Sequence, residues 1–258
     1  MNALSGKAAI VTGASREIGA AMAEALARAG AAVLVAHLGE AELAQATVDR
    51  IRAAGGTAEA HEADCAGLPE NQAMVDRAVA AFGRLDIFAA NAGLTRYLPF
   101  LDYDEATYDT VMDLNLKGSY FAAQAAARQM IKQGTPGSII FSASVTGMRV
   151  LPGGSAYGVT KAGLRHMARC LAVELGPQRI AVNALGIGAI LNERNLKDDP
   201  RFAEHWGALS PAGRVGYPQD VANGLLYLVQ NPYVTGTTLM IEGGWILSSP
   251  LAPDDDTQ

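Results

Sequence analysis

The chain has 258 residues, of which 50% are hydrophobic and 18% charged, with a formal net charge of -6. This is the composition of a globular protein with a sizeable core, and the absence of a basic stripe argues against nucleic-acid binding. No stretch reaches the roughly 18 apolar residues of a membrane span, and the polar Met1–Gly6 does not read as a signal peptide.

In chain order, short apolar runs alternate with longer amphipathic ones. Ala8–Val11 reads as a strand, and Ile18–Ala29 as a helix closed by Gly30. Ala32–Val35 is the second strand, followed by a helix over about Glu40–Ala54 that ends at Gly55-Gly56. Thr57–Ala63 is a weaker strand, Asn71–Phe82 a helix and Asp86–Ala90 a strand. A long helical region covers Glu105–Gln133, then come strand Gly137–Ser142, helix Ser155–Leu175 and strand Arg179–Ala184. A helix near Pro218–Val229 and a strand near Thr237–Ile241 close the series.

Strands that alternate with helices predict parallel βαβ units with right-handed crossovers, here an open, doubly wound sheet of about seven strands flanked by helices. One domain is expected over residues 1–247, with a flexible tail over 248–258, where Pro-Leu-Ala-Pro precedes three aspartates. Ligands of such sheets sit beyond the carboxyl ends of the strands, where strand order reverses. Chemistry should therefore gather just after Val11, Val35, Ala90, Ser142 and Ala184. Cys65 and Cys170 stand far apart and lack a CxxC partner, so neither a disulfide nor a zinc site is expected and a cytoplasmic setting fits. His61, His166 and His205 form no metal-ligand pattern.

Three segments fall at those strand ends, and a helical pair follows the third. Thr12-Gly13-Ala14-Ser15-Arg16-Glu17-Ile18-Gly19 runs from the first strand through a glycine turn into a helix, the arrangement that lets backbone N–H groups approach a pyrophosphate. Asn91-Ala92-Gly93 ends the fourth strand. Ser144 follows the fifth, with Ser142 as a rival hydroxyl. Tyr157 comes thirteen residues after Ser144 and forms Tyr-x-x-x-Lys with Lys161, which puts both side chains on one helix face, one turn apart. A lysine beside a phenol stabilises the phenolate and suits the tyrosine to acid–base work. Taken alone, the pair would be an exposed tyrosine beside a solvated lysine.

Together these segments resemble the short-chain dehydrogenase/reductase family, over Lys7 to about Gly244: a TGxxxGxG turn, Asn-Ala-Gly, a catalytic Asn (here Asn115), a Ser and Tyr-x-x-x-Lys. The resemblance implies a Rossmann-like fold and an NAD(P)-dependent oxidoreductase that moves a hydride between the nicotinamide and a small alcohol or carbonyl compound. It implies that Tyr157 exchanges the proton on the substrate oxygen and that Ser144 hydrogen-bonds that oxygen. Lys161 would hold the nicotinamide ribose, and Asn115 would keep a helix kink and a water linked to Lys161. It places Thr12, Gly13, Ser15, Arg16, Ile18, Gly19, His37, Asp64, Cys65, Asn91, Ala92, Gly93, Gly188, Ile190 and Asn192 around the cofactor, with Asp64 on the adenine amino group.

Two departures stand out. Glu17 occupies a usual glycine position, so it either faces solvent or lowers cofactor affinity. Ile187 replaces a proline and Asn192 a threonine, which predicts a looser turn after the sixth strand. NADP(H) is expected over NAD(H): His37 stands where an acid would accept from the ribose 2′-OH, and Arg16 could meet a 2′-phosphate. Leu191–Pro218 is the expected substrate lid, with Leu94–Leu98 and Met148–Leu151 beside it, around a sugar, polyol or small ketone. Phe121–Met130 and Ala162–Leu175 carry more Ala and Leu than one core face needs, and in the family such helices pair to give a homotetramer. The rival readings are a non-catalytic dinucleotide sensor on the same fold and a reductase of activated C=C bonds.

Overall fold

A computed structural model describes residues 3–247; the tail expected over 248–258 lies outside the described residues. Seven parallel strands form one sheet in the order β3-β2-β1-β4-β5-β6-β7. They are β1 (Ala8–Thr12), β2 (Ala32–His37), β3 (Thr57–Glu62), β4 (Ile87–Ala90), β5 (Gly137–Ser144), β6 (Ile180–Ile187) and β7 (Thr238–Ile241). Around them lie α1 (Glu17–Arg28), α2 (Ala41–Ala53), α3 (Leu68–Phe82), α4 (Glu105–Met112), α5 (Ser119–Gln133), α6 (Ser155–Leu175), α7 (Glu193–Asp198), α8 (Phe202–Ala208) and α9 (Pro218–Gln230). This is the doubly wound α/β sheet that the alternating pattern predicts.

Strands β1, β2 and β4 read as continuous apolar runs because both sheet faces are covered there. Side chains alternate between the faces. Ile10, Leu34, Phe88, Ile139 and Phe141 pack on one side with Met74, Ala126, Met130 and Leu164 from α3, α5 and α6. Val11, Val35, Ala89 and Ile140 pack on the other with Met22, Leu26, Val48 and Leu225 from α1, α2 and α9. Buried Asp86 pins the amino end of the sheet: it accepts from Nε and Nη2 of Arg84, the Ala8 N–H and Lys7. Burial disfavours its charge, but these donors outweigh that and hold its carboxyl below the usual value.

Strand order reverses between β1 and β4, which are neighbours although two strands separate them in sequence. The two carboxyl ends are laced together. Thr12 Oγ1 accepts from the Asn91 and Ala92 N–H groups at 2.9 Å each, and Asn91 Nδ2 donates to the Thr12 and Gly13 carbonyls.

Three elements differ from the sequence expectation. The helical region Glu105–Gln133 is broken by a widened π-type turn at Asp113–Gly118, which separates α4 from α5. The loop Leu191–Pro218 contains α7 and α8, which are too short for periodicity to reveal. The turn that Ile187 was expected to loosen is held instead. Unlike proline, Ile187 can continue β6, where it pairs in register with Ser144 and Ile241, and the Gly188 N–H donates to the Ile241 carbonyl at 2.9 Å. Beyond it, Ile190 and Gly216 form a parallel bridge that clamps the base of the 191–215 excursion.

Candidate active site and cofactor cleft

An elongated cleft follows the carboxyl edge of the sheet. Its central part is lined by Gly13, Ser15, Arg16, Ile18 and Gly19 from the first turn, and by Asn91–Gly93, Ser144, Tyr157, Lys161, Gly188, Ile190 and Asn192. A second lobe, beside β2 and β3, is bounded by His37, Asp64 and Cys65. A third opens past Tyr157 between Thr95, Tyr97, Arg194, Asn195, Phe202 and Trp206. Every proposed site residue except Asn115 and Thr12 lines one of these lobes. Thr12 is buried, its hydroxyl used to join the ends of β1 and β4, so its place is in the wall behind the turn.

The proton-handling groups converge where the first and third lobes meet. Ser144 is the last residue of β5 and caps a short 3-10 turn, its Oγ accepting from the Thr146 N–H at 3.2 Å. With that acceptor site used, the hydroxyl proton is left to donate. Ser142, the rival, instead donates to Asn91 Oδ1. Tyr157 and Lys161 lie one turn apart on α6. The buried Lys161 ammonium donates to the Ser142 carbonyl at 2.7 Å and sits 5.5 Å from the Tyr157 ring centroid. Asn115, in the π-type turn, is fully buried and clamps Leu94: Nδ2 donates to its carbonyl at 2.8 Å and Oδ1 accepts its N–H at 2.7 Å.

The cleft suits a dinucleotide on its own evidence. Gly13 has φ 60°, and a Cβ on Gly19 would collide with the Gly13 carbonyl oxygen, so the turn closes tightly onto the amino end of α1. A Cβ on Gly93 would fill the space next to Asn115 Oδ1 and Lys161 Nζ, at 3.2 and 3.5 Å. In the second lobe His37 is buried and its Nδ1 has no hydrogen-bond partner.

Sequence reasoning missed Glu40, and had Tyr97 only as part of the pocket stretch Leu94–Leu98. Glu40, just before α2, accepts from Ser15 Oγ and from Arg16 Nε, so a carboxylate does stand at this edge, three positions beyond His37. An acid opening the second helix was the signal available. Tyr97 packs on Tyr157 with ring centroids 5.9 Å apart. Partial burial and the neighbouring Tyr157 push its phenol up to about 12, which keeps it a neutral donor. Burial, then Asp64, likewise pushes the Cys65 thiol up to about 11, so it remains protonated near neutral pH. Glu17 does not simply face solvent: it lines the cleft, and its Oε1 accepts from the Glu193 N–H at the start of α7 at 2.9 Å. Among the described residues no group of three or more His, Cys, Asp or Glu could hold a metal ion, and no helix is long and apolar enough to cross a membrane.

Known proteins resemble this chain over nearly its whole length. The family model described as enoyl-(acyl carrier protein) reductase matches residues 13–246. An L-rhamnose 1-dehydrogenase (NAD(P)(+)) of Azotobacter vinelandii is 40% identical, over 92% of this chain and 96% of that one. A 3-oxoacyl-[acyl-carrier-protein] reductase of Staphylococcus aureus is 37% identical, over 92% and 97%. A short chain dehydrogenase from Burkholderia cenocepacia, solved in complex with NADP, superposes with a TM-score of 0.89 at 36% identity, over 95% of this chain and 100% of that one. The chain belongs to the short-chain dehydrogenase/reductase family of NAD(P)-dependent oxidoreductases.

Proposed function

We propose that this enzyme interconverts a CH–OH group of a sugar-like substrate and the corresponding C=O group, using Ser144, Tyr157, Lys161 and Asn115. The observation that carries the reading is the meeting of Ser144 and Tyr157 where the central and third lobes join, with Lys161 behind them. On oxidation the Tyr157 phenolate takes the proton from the substrate hydroxyl, and on reduction the resulting phenol returns it. Ser144 donates to the same oxygen and steadies the charge that develops there. The Lys161 charge beside the ring steadies the phenolate once the proton leaves. Asn115 positions Leu94 and the wall behind Lys161. When bound, the nicotinamide supplies or accepts the hydride; Gly13, Ser15, Arg16, Ile18, Gly19, His37, Asp64, Cys65, Asn91–Gly93, Gly188, Ile190 and Asn192 would hold the cofactor, with Lys161 at its ribose.

The third lobe supports the sugar assignment. Thr95, Tyr97, Arg194 and Asn195 offer hydroxyl, guanidinium and amide groups, while Phe202 and Trp206 form an aromatic wall, with ring centroids 5.8 Å apart. Polyhydroxylated rings need both kinds of surface, and a relative 40% identical is an L-rhamnose 1-dehydrogenase. The thirteen-residue interval between Ser144 and Tyr157 favours C=O over C=C chemistry, and retention of the whole proton relay speaks against a non-catalytic sensor.

For the cofactor we favour NADP(H) over NAD(H), with both used. The Arg16–Glu40 pair is half-exposed and worth at most about 1 kcal/mol, so a 2′-phosphate can draw Arg16 to itself. Glu40 is the counterweight, because it would repel that phosphate and accept from a 2′-hydroxyl. The half-exposed face of α5 and the exposed Val159 and Val173 of α6 support a homotetramer, and the exposed free thiol of Cys170 suits a reducing cytoplasm.

The test is a panel of L-rhamnose, other aldoses, polyols and ketones with each cofactor, followed by the absorbance of reduced nicotinamide. Turnover of an aldose with NADP+ supports the reading; turnover confined to enoyl thioesters overturns it. Light scattering at micromolar concentration should give a tetramer mass, and a monomer would refute that assignment.

A further inference from the structure

Position 17 carries a side chain where the backbone itself favours glycine. Glu17 has φ 51°, in the left-handed region that disfavours a Cβ. A locally unfavourable choice that a fold retains points to a compensating use of the side chain. That use is visible: Glu17 Oε1 accepts from the Glu193 N–H at 2.9 Å, across 176 residues of sequence.

The sheet order shows what this contact spans. Glu17 follows β1 and Glu193 lies beyond β6, with β4 and β5 between those strands. At about 4.8 Å per strand, three intervals separate β1 from β6, roughly 14 Å of the sheet's carboxyl edge. Along that edge lie Asn91–Gly93 and Ser142–Ser144, which line the central lobe. On either side of Glu193, Asn192, Arg194 and Asn195 line the same lobe, and Arg194 and Asn195 also line the third one. Among the described residues no other hydrogen bond joins the turn 12–19 to the segment 186–199.

We propose that Glu17 is a positioning residue, a strap that fixes the segment 191–199 across the cofactor cleft before any ligand arrives. The strap needs an oxygen acceptor at the Glu193 N–H and does not need the negative charge. It concerns the chain alone and holds whatever the substrate is.

Amide hydrogen exchange on the full, ligand-free chain tests it in three variants. Glu17→Gln keeps an acceptor oxygen, and its peptides over 190–199 should exchange at the wild-type rate. Glu17→Gly removes the acceptor and suits the φ, so it should melt no lower than the wild type while 190–199 exchanges several-fold faster. Glu193→Pro removes the donor instead. Proline is well tolerated at a first helical position, and the preceding Asn192 is already extended (φ -153°, ψ 166°), so the fold should survive and 194–199 should loosen as in Glu17→Gly. Strands β1 and β5 should keep their protection throughout. Wild-type exchange in Glu17→Gly or Glu193→Pro, or loosening in Glu17→Gln equal to that in Glu17→Gly, would overturn the proposal.

Discussion

The Lys161 ammonium lies 5.5 Å from the centroid of the Tyr157 ring and is tied to the Ser142 carbonyl at 2.7 Å. One helical turn sets their separation, and the end of β5 fixes the lysine's direction. The phenol therefore meets the substrate lobe on one side and a buried cation on the other, with Ser144 from the same strand end beside it.

Lys161→Met should test the cation at nearly constant volume. It leaves the Ser142 carbonyl without its donor and removes the charge beside Tyr157. We expect kcat to fall at least 100-fold, because the charge that steadies the phenolate is lost. Steady-state kinetics beside calorimetry of the cofactor checks this; weaker cofactor binding with kcat unchanged would assign Lys161 to cofactor binding alone.

Arg16 and Glu40 should set the cofactor preference between them. Arg16→Ala should weaken NADPH binding about tenfold and NADH much less, because only NADPH carries the 2′-phosphate. Glu40→Gln should act in the opposite sense, freeing Arg16 and removing a repelling charge. His37→Asp should favour NADH by adding an acceptor at the end of β2. Side-by-side kcat/KM values decide, and a clear NAD(H) advantage in the unmodified enzyme would show that Glu40 outweighs Arg16.

The Glu17 charge has its own consequence, separate from the strap. Glu17→Gln removes a negative charge from the wall of the cofactor cleft while keeping the acceptor. Cofactor affinity should rise two- to tenfold by calorimetry. Equal affinity would mean that the bond to Glu193 keeps the carboxylate away from the pyrophosphate.

Asp86 predicts the acid limb of the stability curve. Its folded carboxyl is held below the usual value, so its contribution is complete above the unfolded value near 3.9 and is lost as pH falls through the lower folded value. Asp86→Asn should cost about 2 kcal/mol at neutral pH, and the difference from wild type should shrink as pH drops below about 4. A constant difference in denaturant melts from pH 7 to 3 would contradict this.

How much of this could be read from sequence depends on the range of each interaction. Strand–helix alternation and the sheet edge were legible, because Ile10 and Val11 must face opposite layers and the glycine turn must follow β1. Helix Ser155–Leu175 was legible to the residue, and with it the Tyr157–Lys161 spacing. Periodicity did not show the π-type turn at Asn115, although the family resemblance implied a helix kink at that residue. Helices α7 and α8 were hidden by their length. Glu40 and the Glu17–Glu193 bond were hidden because each depends on which loops the sheet order brings together. The buried role of Thr12 is of the same kind: its hydroxyl serves β4, which lies 77 residues away along the chain.

The central claim is that Tyr157 handles the substrate proton while the rest of the cleft holds the cofactor. Tyr157→Phe removes one hydroxyl and keeps the ring that packs on Tyr97. In one preparation, turnover and NADPH affinity should both be measured, the latter by calorimetry. The account predicts a loss of at least 1,000-fold in kcat with the dissociation constant within about threefold of wild type, a barrier increase of about 4 kcal/mol confined to the chemical step. Near wild-type turnover in Tyr157→Phe would contradict it.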